Sequence, residues 1–392
     1  MDWMISYDSL DDLQRKAIND IYDSRNKVSW IHGFAGSGKT IILLHIIKRF
    51  LIDHPDGTVC FVTYTRALKE LAFTGLSHEE ICRIKVSTIF DFKNSSTTYD
   101  LILIDEVQDC CSEDIENANH RFKFKLVIAG DSNQQIYTGR TNNEKLSEIL
   151  GNVEQEDLRI VHRLTDKIKK IATSILPSSN IVNAETPEQQ SFLKRGADAY
   201  LYKADSANDE VKGILLNIKE NPPKVGYPYA ILFPTHDKIK QFIQIYQNLD
   251  DDIEITADEN NNNEFYREFN SVSPLFQFLG NGIGAIEKSD QNPIVYLMTY
   301  HSSKGFDFEK VFIPFLNIDC LEPIVNREGA EIPDIDRRVL YVAVTRSKND
   351  LIMSYNSDKP IKYIKDLVDN QLISASKMPT EPLISDDDDD DF

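Results

Sequence analysis

Gly33-Phe34-Ala35-Gly36-Ser37-Gly38-Lys39-Thr40 has the G-x-x-x-x-G-K-[ST] spacing of a phosphate-cradling loop. Gly33, Gly36 and Gly38 let the main chain reach an anion without a Cβ in the way; Ala35 and Ser37 complete the wrap. Lys39 offers a point charge to the β- and γ-phosphates, and Thr40 a hydroxyl to Mg²⁺. Further on, Asp105-Glu106-Val107-Gln108-Asp109 closes an apolar run. There Asp105 can hold Mg²⁺, and Glu106 can orient or deprotonate an attacking water. Gln134 follows another apolar run, and its amide can sense a γ-phosphate. Together these groups describe hydrolysis of a nucleoside triphosphate.

Such groups need a frame. Val28–His32 reads as a buried strand and Ile41–Phe50 as a helix, so the glycines fall at a helix N-terminus, where the dipole favours an anion. Tyr99–Ile104 reads as a strand with the acids at its carboxyl end, where an open parallel sheet carries its ligand. Thr58–Tyr64 and Phe124–Ala129 are further strands, Ala67–Phe73 a helix, and Ile84–Phe90 a strand or turn. Ser9–Ile18 reads as a capped helix. Its Gln14 is either a surface amide or a reader of adenine, since an amide both donates and accepts. Alternating strands and helices up to about residue 150 predict a parallel α/β domain.

The second half repeats the pattern. Ala199–Tyr202, Tyr229–Phe233, Ile294–Thr299, Val311–Phe315 and Leu351–Tyr355 read as strands; Ser206–Asn221, His236–Leu249 and Asp336–Thr345 read as helices. Asp250–Asn263 is acidic and Asn-rich, an exposed loop. The expected division is 1–152 and 153–375, with a disordered acidic tail over 376–392.

The 392 residues allow two ordinary domains, and 41% hydrophobic with 27% charged residues fits a soluble globular chain. No apolar run approaches a membrane span, and Met1-Asp2-Trp3-Met4 does not open a signal peptide. Five cysteines without a C-x-x-C pair suggest reduced thiols in a cytoplasm. A net charge of −20 argues against coating nucleic acid with the whole surface, while leaving room for one local groove. No second acid cluster supports a metal-dependent nuclease.

Taken together, the motifs between Leu10 and Ser347 resemble the UvrD/Rep/PcrA-like superfamily 1 helicases. The resemblance implies an α/β fold of two RecA-like P-loop domains, each a mainly parallel sheet flanked by helices, with ATP and Mg²⁺ bound between them. Leu10–Gln14 is similar to the motif that reads adenine, which makes Gln14 that reader. Thr63–Leu68 and Val86–Phe92 are similar to motifs that touch the nucleic-acid backbone, which implies contacts from Thr63, Arg66 and Thr88. Gln134 matches the γ-phosphate sensor, and Tyr137 and Arg140 follow it toward the strand. Leu158–Leu164 is similar to the motif whose arginine, Arg163, reaches ATP; His162 stands where a tyrosine usually stacks on adenine. Leu297–Phe308 matches the motif coupling ATP to the strand, with Thr299 and His301 toward the strand and Asp307 toward the nucleotide. Arg338–Arg346 ends in a second phosphate-contacting arginine, Arg346.

The resemblance implies a strand-stimulated ATPase that translocates on or unwinds single-stranded DNA; RNA is the alternative strand. Phe92 to Tyr99 leaves no room for the family's first inserted domain, and Arg163 to Ile294 little for a second, so a compact two-domain core is expected. Gly139 stands where the family has a base-stacking aromatic, and Asp307 where glutamate is usual. The end, Asp386–Phe392, is either a solvated charge run or resembles the acidic, Phe-ending tails of single-stranded-DNA-binding proteins, which implies a protein partner or the chain's own groove as its seat. A different class of function, a nucleotide-dependent switch that controls a partner such as a nuclease, fits the same ATP groups.

Overall fold

The computed structural model describes residues 4–381 except 65, 152, 163, 186–197 and 250–253. Two parallel sheets form its frame. The first contains β1 (Val28–Gly33), β2 (Val59–Thr63), β3 (Ile84–Thr88), β4 (Tyr99–Ile104), β5 (Phe122–Gly130) and β6 (Glu154–Leu158), in the order β3-β2-β4-β5-β1-β6. The second contains β7 (Ala199–Lys203), β8 (Tyr229–Phe233), β9 (Phe276–Phe278), β10 (Val295–Thr299), β11 (Phe308–Ile313), β12 (Ser347–Tyr355) and β13 (Ala375–Lys377), in the order β13-β7-β12-β11-β8-β10-β9.

Central strands of both sheets are near-continuous apolar runs because helices cover both faces. Phe61, Leu101, Leu103 and Val127 bury against the helices Asp12–Asp23 and Lys39–Asp53, while Val62, Ile102, Ile104 and Ile128 bury on the opposite side. In the second sheet Leu232, Met298 and Ile313 face one core, and Ile231, Leu297 and Phe312 the other. The first of these cores reaches across the domains: Ala35 of the phosphate loop and Ile136 are buried in it.

Several expected boundaries move. β6 lies beyond the expected limit at 152, yet pairs with β1 from Ser29 opposite Glu154 to Gly33 opposite Leu158. Main-chain pairing holds it, since its side chains are mostly acidic. β13 straddles the expected start of the tail at 376: Ala375–Lys377 pairs with β7, and Met378 is buried. Of that tail, 382–392 lies outside the described residues. Ile89 and Phe90 are helical, in Ile89–Lys93, because the Thr88 hydroxyl caps the Asp91 N–H and ends β3. The first helix is capped by Asp11 rather than Ser9. A helix, Asn262–Val272, begins where an exposed loop was expected to end.

The link from Lys93 to Tyr99 is short, and Arg121 seals it. Its guanidinium donates to Thr97 O at 2.8 Å, Phe92 O at 2.8 Å and Asn117 Oδ1 at 2.9 Å, and lies 3.9 Å from the centroid of the Phe92 ring. In the second half, the described elements from β7 to β10 build the α/β layer itself.

Candidate active site and interdomain groove

β1 delivers the chain to the loop Phe34–Gly38, and the helix Lys39–Asp53 leaves from it. Gly36 and Gly38 take φ of 79° and 87°, the left-handed region that side chains resist. A Cβ on Gly38 would stand 2.4 Å from Gln14 Nε2. Gln14 is held there twice. It closes a capping box, donating its N–H to Asp11 Oδ1 at 2.8 Å while Oε1 accepts from Asp11 N–H at 3.3 Å, and its Nε2 donates to Ser37 O at 3.3 Å. Lys39 Nζ donates to Gly33 O at 2.9 Å and Phe34 O at 3.1 Å, so its charge sits inside the loop.

β4 brings Asp105 and Glu106 beside this loop. Thr40 Oγ1 donates to Asp105 Oδ2 at 2.6 Å. A hydroxyl and a carboxylate at that distance form a hard-oxygen pair of the type Mg²⁺ prefers, so the residues present fit the ion. Burial, reinforced by the charge of Glu106, pushes the Asp105 carboxyl up to about 6. Glu106 feels burial too, but Lys304 and Lys39, the Gln108 amide and Arg346 together hold its carboxyl below its ordinary range. A buried carboxylate kept ionised is equipped to take a proton from water. Glu106 has φ of 55°, turning the chain sharply at the strand end. Gln108 then ties two motifs together: its Nε2 donates to Glu106 Oε2 at 2.5 Å, and its Oε1 accepts from Asp131 N–H at 3.0 Å.

β5 ends at Gly130, and the turn after it presents Gln134, whose Nε2 donates to Asp131 Oδ2 at 3.1 Å. The second domain meets it here. Arg346, 1% exposed, donates from Nη2 to Gln134 Oε1 at 3.0 Å and is braced by Val342 O and Phe306 O. Lys304, buried to the same degree as its partner, donates to both oxygens of Asp109 and to Gln134 O, each at 2.6 Å. Burial pushes the Asp109 carboxyl up to about 7 against the pull of Lys304; contacts to both oxygens match the ionised form. Arg338 adds a bond from Nη1 to Ser132 O at 2.9 Å. On the phosphate-loop side, His162 N–H donates to Gly36 O at 3.1 Å, and its Nε2 lies 2.7 Å from Asp11 Oδ2.

The structure therefore brings together Gln14, Gly33, Gly36, Ser37, Gly38, Lys39, Thr40, Asp105, Glu106, Gln134, His162 and Arg346. The Ala35 side chain turns into the interdomain core. Asp307 faces Lys348 at 3.4 Å. Arg163 lies outside the described residues. Lys304, Arg338 and Gln108 were not singled out from the sequence; each stood inside a quoted motif, but nothing in residue type alone separates a bridging lysine or arginine from a solvated one.

Behind this cleft runs a groove of about 880 Å³ between the two domains. Thr88, Thr299 and His301 line it, as do Tyr64, Phe90 and Tyr137. Thr88 and Thr299 have their hydroxyls on Asp91 Oδ2 and Ser302 Oγ, both at 2.9 Å. His301 Nε2 lies 3.5 Å from Glu328 Oε2. Thr63 is buried at the end of β2 and is not part of the lining. Arg66 opens the helix Arg66–Thr74. Arg140 donates from Nη2 to the Tyr64 hydroxyl at 2.8 Å. Gly305, φ 81°, lets this loop press against the first domain: a Cβ there would stand 2.3 Å from Leu68 Cδ2. No helix among the described residues is long and apolar enough to cross a membrane.

Residues 14–140 match an AAA domain model, and residues 234–358 match the UvrD-like helicase C-terminal domain. A "Probable DNA helicase" of Mycoplasma pneumoniae is 23% identical over 299 residues, 70% of this chain and 48% of that protein. A "Probable DNA helicase II homolog" of Mycoplasma capricolum is 30% identical over 122 residues, 28% of this chain and 16% of the relative. An "ATP-dependent DNA helicase Rep" of Buchnera aphidicola is 41% identical over 61 residues, 16% of this chain and 9% of the relative. The matched parts thus span half or less of those relatives.

Proposed function

The chain belongs to the UvrD-like superfamily 1 helicases, and from that premise we propose that it hydrolyses ATP in the interdomain cleft and couples turnover to movement along single-stranded DNA. The main chain of Gly33–Gly38 and the Lys39 ammonium bind the phosphates, while Gln14 and His162 border the base. Thr40 and Asp105 would hold Mg²⁺, which when bound offsets phosphate charge. Glu106 accepts the proton of the attacking water. Gln134 and Arg346 orient on the γ-phosphate, with Arg163 a further candidate from its motif; arginines of this kind contribute about 10³ to 10⁵ in rate.

The observation that carries the reading is the loop from Thr299 to Gly305. At one end Thr299 and His301 line the groove; at the other Lys304 grips Asp109 and Gln134 beside the phosphate site. A strand in the groove and a phosphate in the cleft therefore bear on one short piece of chain. The test is steady-state ATP hydrolysis with and without single-stranded DNA, beside Lys39→Ala and Glu106→Gln. A DNA-dependent rise abolished by both substitutions is expected. Hydrolysis that needs both residues but ignores DNA would favour the partner-controlled switch, and equal stimulation by RNA would reassign the strand.

A further inference from the structure

The Gln14 amide is turned into the protein at both ends. Its Nε2 donates to Ser37 O at 3.3 Å, its Oε1 accepts from Asp11 N–H at 3.3 Å, and the residue is 2% exposed. Reading adenine asks a side-chain amide to donate and accept at the base edge together. Here both ends already serve main chain, and burial closes the approach to the amide.

The same contacts shape the phosphate loop. Of its carbonyls, Gly33 O and Phe34 O take the Lys39 ammonium, Gly36 O takes the His162 N–H at 3.1 Å, Ser37 O takes Gln14, and Gly38 O takes the Ile42 N–H at 3.0 Å. The peptide from Ser37 to Gly38 is planar and trans, so holding Ser37 O on Gln14 turns the Gly38 N–H the opposite way. N–H groups aimed in this manner are what a phosphate loop offers an anion. Gly38 has φ of 87°, and Gln14 Nε2 fills the space its Cβ would need, so the amide backs the loop without a gap. Asp11 completes the brace: its Oδ1 accepts from Gln14 N–H at 2.8 Å, and its Oδ2 lies 2.7 Å from His162 Nε2.

We propose that Gln14 is a positioning residue of the phosphate loop and not the reader of the base, and that the site accepts nucleoside triphosphates without regard to their base. The proposal rests on the reading of the cleft as a site of nucleotide hydrolysis. Selection then falls on the triphosphate, which all such substrates share.

The test is steady-state hydrolysis of ATP, GTP, CTP and UTP by the full chain with Mg²⁺, with inorganic tripolyphosphate as a competitive inhibitor that carries no base. The values of kcat/KM should lie within about tenfold of one another, whereas a site built to hydrogen-bond its substrate rejects an analogue lacking the bonding group by about 10⁴ to 10⁵. Gln14→Ala should raise the KM for ATP and for GTP by the same factor, about tenfold for one lost hydrogen bond, and weaken tripolyphosphate inhibition equally. Gln14→Glu keeps the acceptor and loses the donor, and should behave alike. Thermal unfolding of each variant checks that the fold is kept, and Lys39→Ala checks that the hydrolysis belongs to this site. ATP favoured beyond the expected range overturns the indifference to base. Unchanged tripolyphosphate inhibition in a folded Gln14→Ala chain overturns the loop role, because losing a base reader leaves a ligand without a base untouched. Failure of the unsubstituted chain to hydrolyse any of these nucleotides removes the reading of the cleft itself, and the proposal with it.

Discussion

Replacing Lys304 by Met tests whether the two domains are joined where the cleft meets the groove. The ammonium has three protons and three acceptors, Asp109 Oδ1, Asp109 Oδ2 and Gln134 O, all at 2.6 Å. Lys304 and Asp109 are 2% and 1% exposed, so water cannot take over for a lost partner. Breaking one side of a buried pair costs about 3–5 kcal/mol when the remaining charge stays bare. Asp109 has a way out, because its carboxyl already sits near 7 and takes up a proton once Lys304 is gone. That relief brings the expected loss to about 2 kcal/mol near neutral pH. Asp109→Asn removes the same charge from the other side, so the double variant should be more stable than the sum of the singles implies, by about 2 kcal/mol. Urea unfolding of the wild type, the two single variants and the double variant measures this coupling. ATP hydrolysis with and without strand reports its functional side, and Lys304→Met should lower the stimulated rate more than the unstimulated one. Additivity within about 0.5 kcal/mol, together with unaltered stimulation, would refute the reasoning.

Gly305→Ala should destabilise the chain by about 1–2 kcal/mol for its left-handed backbone alone, and blunt strand stimulation, because the added carbon drives into Leu68; unchanged urea unfolding would contradict this. Arg121→Met should cost about 2 kcal/mol, since Thr97 O and Phe92 O lose their donor and Phe92 its cation, and hydrogen exchange should rise in residues 93–99 if the seal is as described. The Asp109 carboxyl binds its proton more tightly in the folded chain, at about 7, than at its ordinary value of 3.8. Its contribution to stability is therefore full below about pH 4 and lost as pH rises through about 7. The ionised form is the one Lys304 grips, so strand stimulation of ATP hydrolysis should rise from about pH 6 to 8, and Asp109→Asn should flatten that rise.

The sequence discloses elements where burial writes a pattern. Tyr99–Ile104, Tyr229–Phe233 and His236–Leu249 were expected with the ends they have, because two-faced burial demands unbroken apolar residues in a strand and one-faced burial demands a helical stripe. β6 was invisible for the opposite reason. Glu154-Gln155-Glu156-Asp157-Leu158 is an edge strand held by main-chain pairing to β1, with its one apolar residue, Leu158, in the core and Glu154 accepting from Ser24 and Asn26. β9 and β13 are three-residue strands, too short to show a period. At the candidate site, Lys39, Thr40, Asp105 and Glu106 were expected together because their types and spacing follow the phosphate-loop and acidic-strand-end patterns, and the structure places them side by side. Lys304 and Arg338 were not, because their partners belong to another domain and come near only through the fold.

The segment that crosses between the domains is fastened beside the phosphate loop, where His162 meets Gly36 and Asp11. A rigid body that turns about such a point moves least there and most at its far rim. β1 leads into that loop, whereas β3, which ends at Thr88 and leads into the helix carrying Phe90, lies across β5, β4 and β2 at the opposite edge of the sheet. Four strand spacings make a lever arm of roughly 19 Å, so a turn of about 10° too small to unseat the pivot would slide the groove walls by roughly 3 Å. The order of strands in the first sheet thus sets a lever: under the proposed function, a slight turn at the phosphate loop would arrive magnified at the far edge of the sheet.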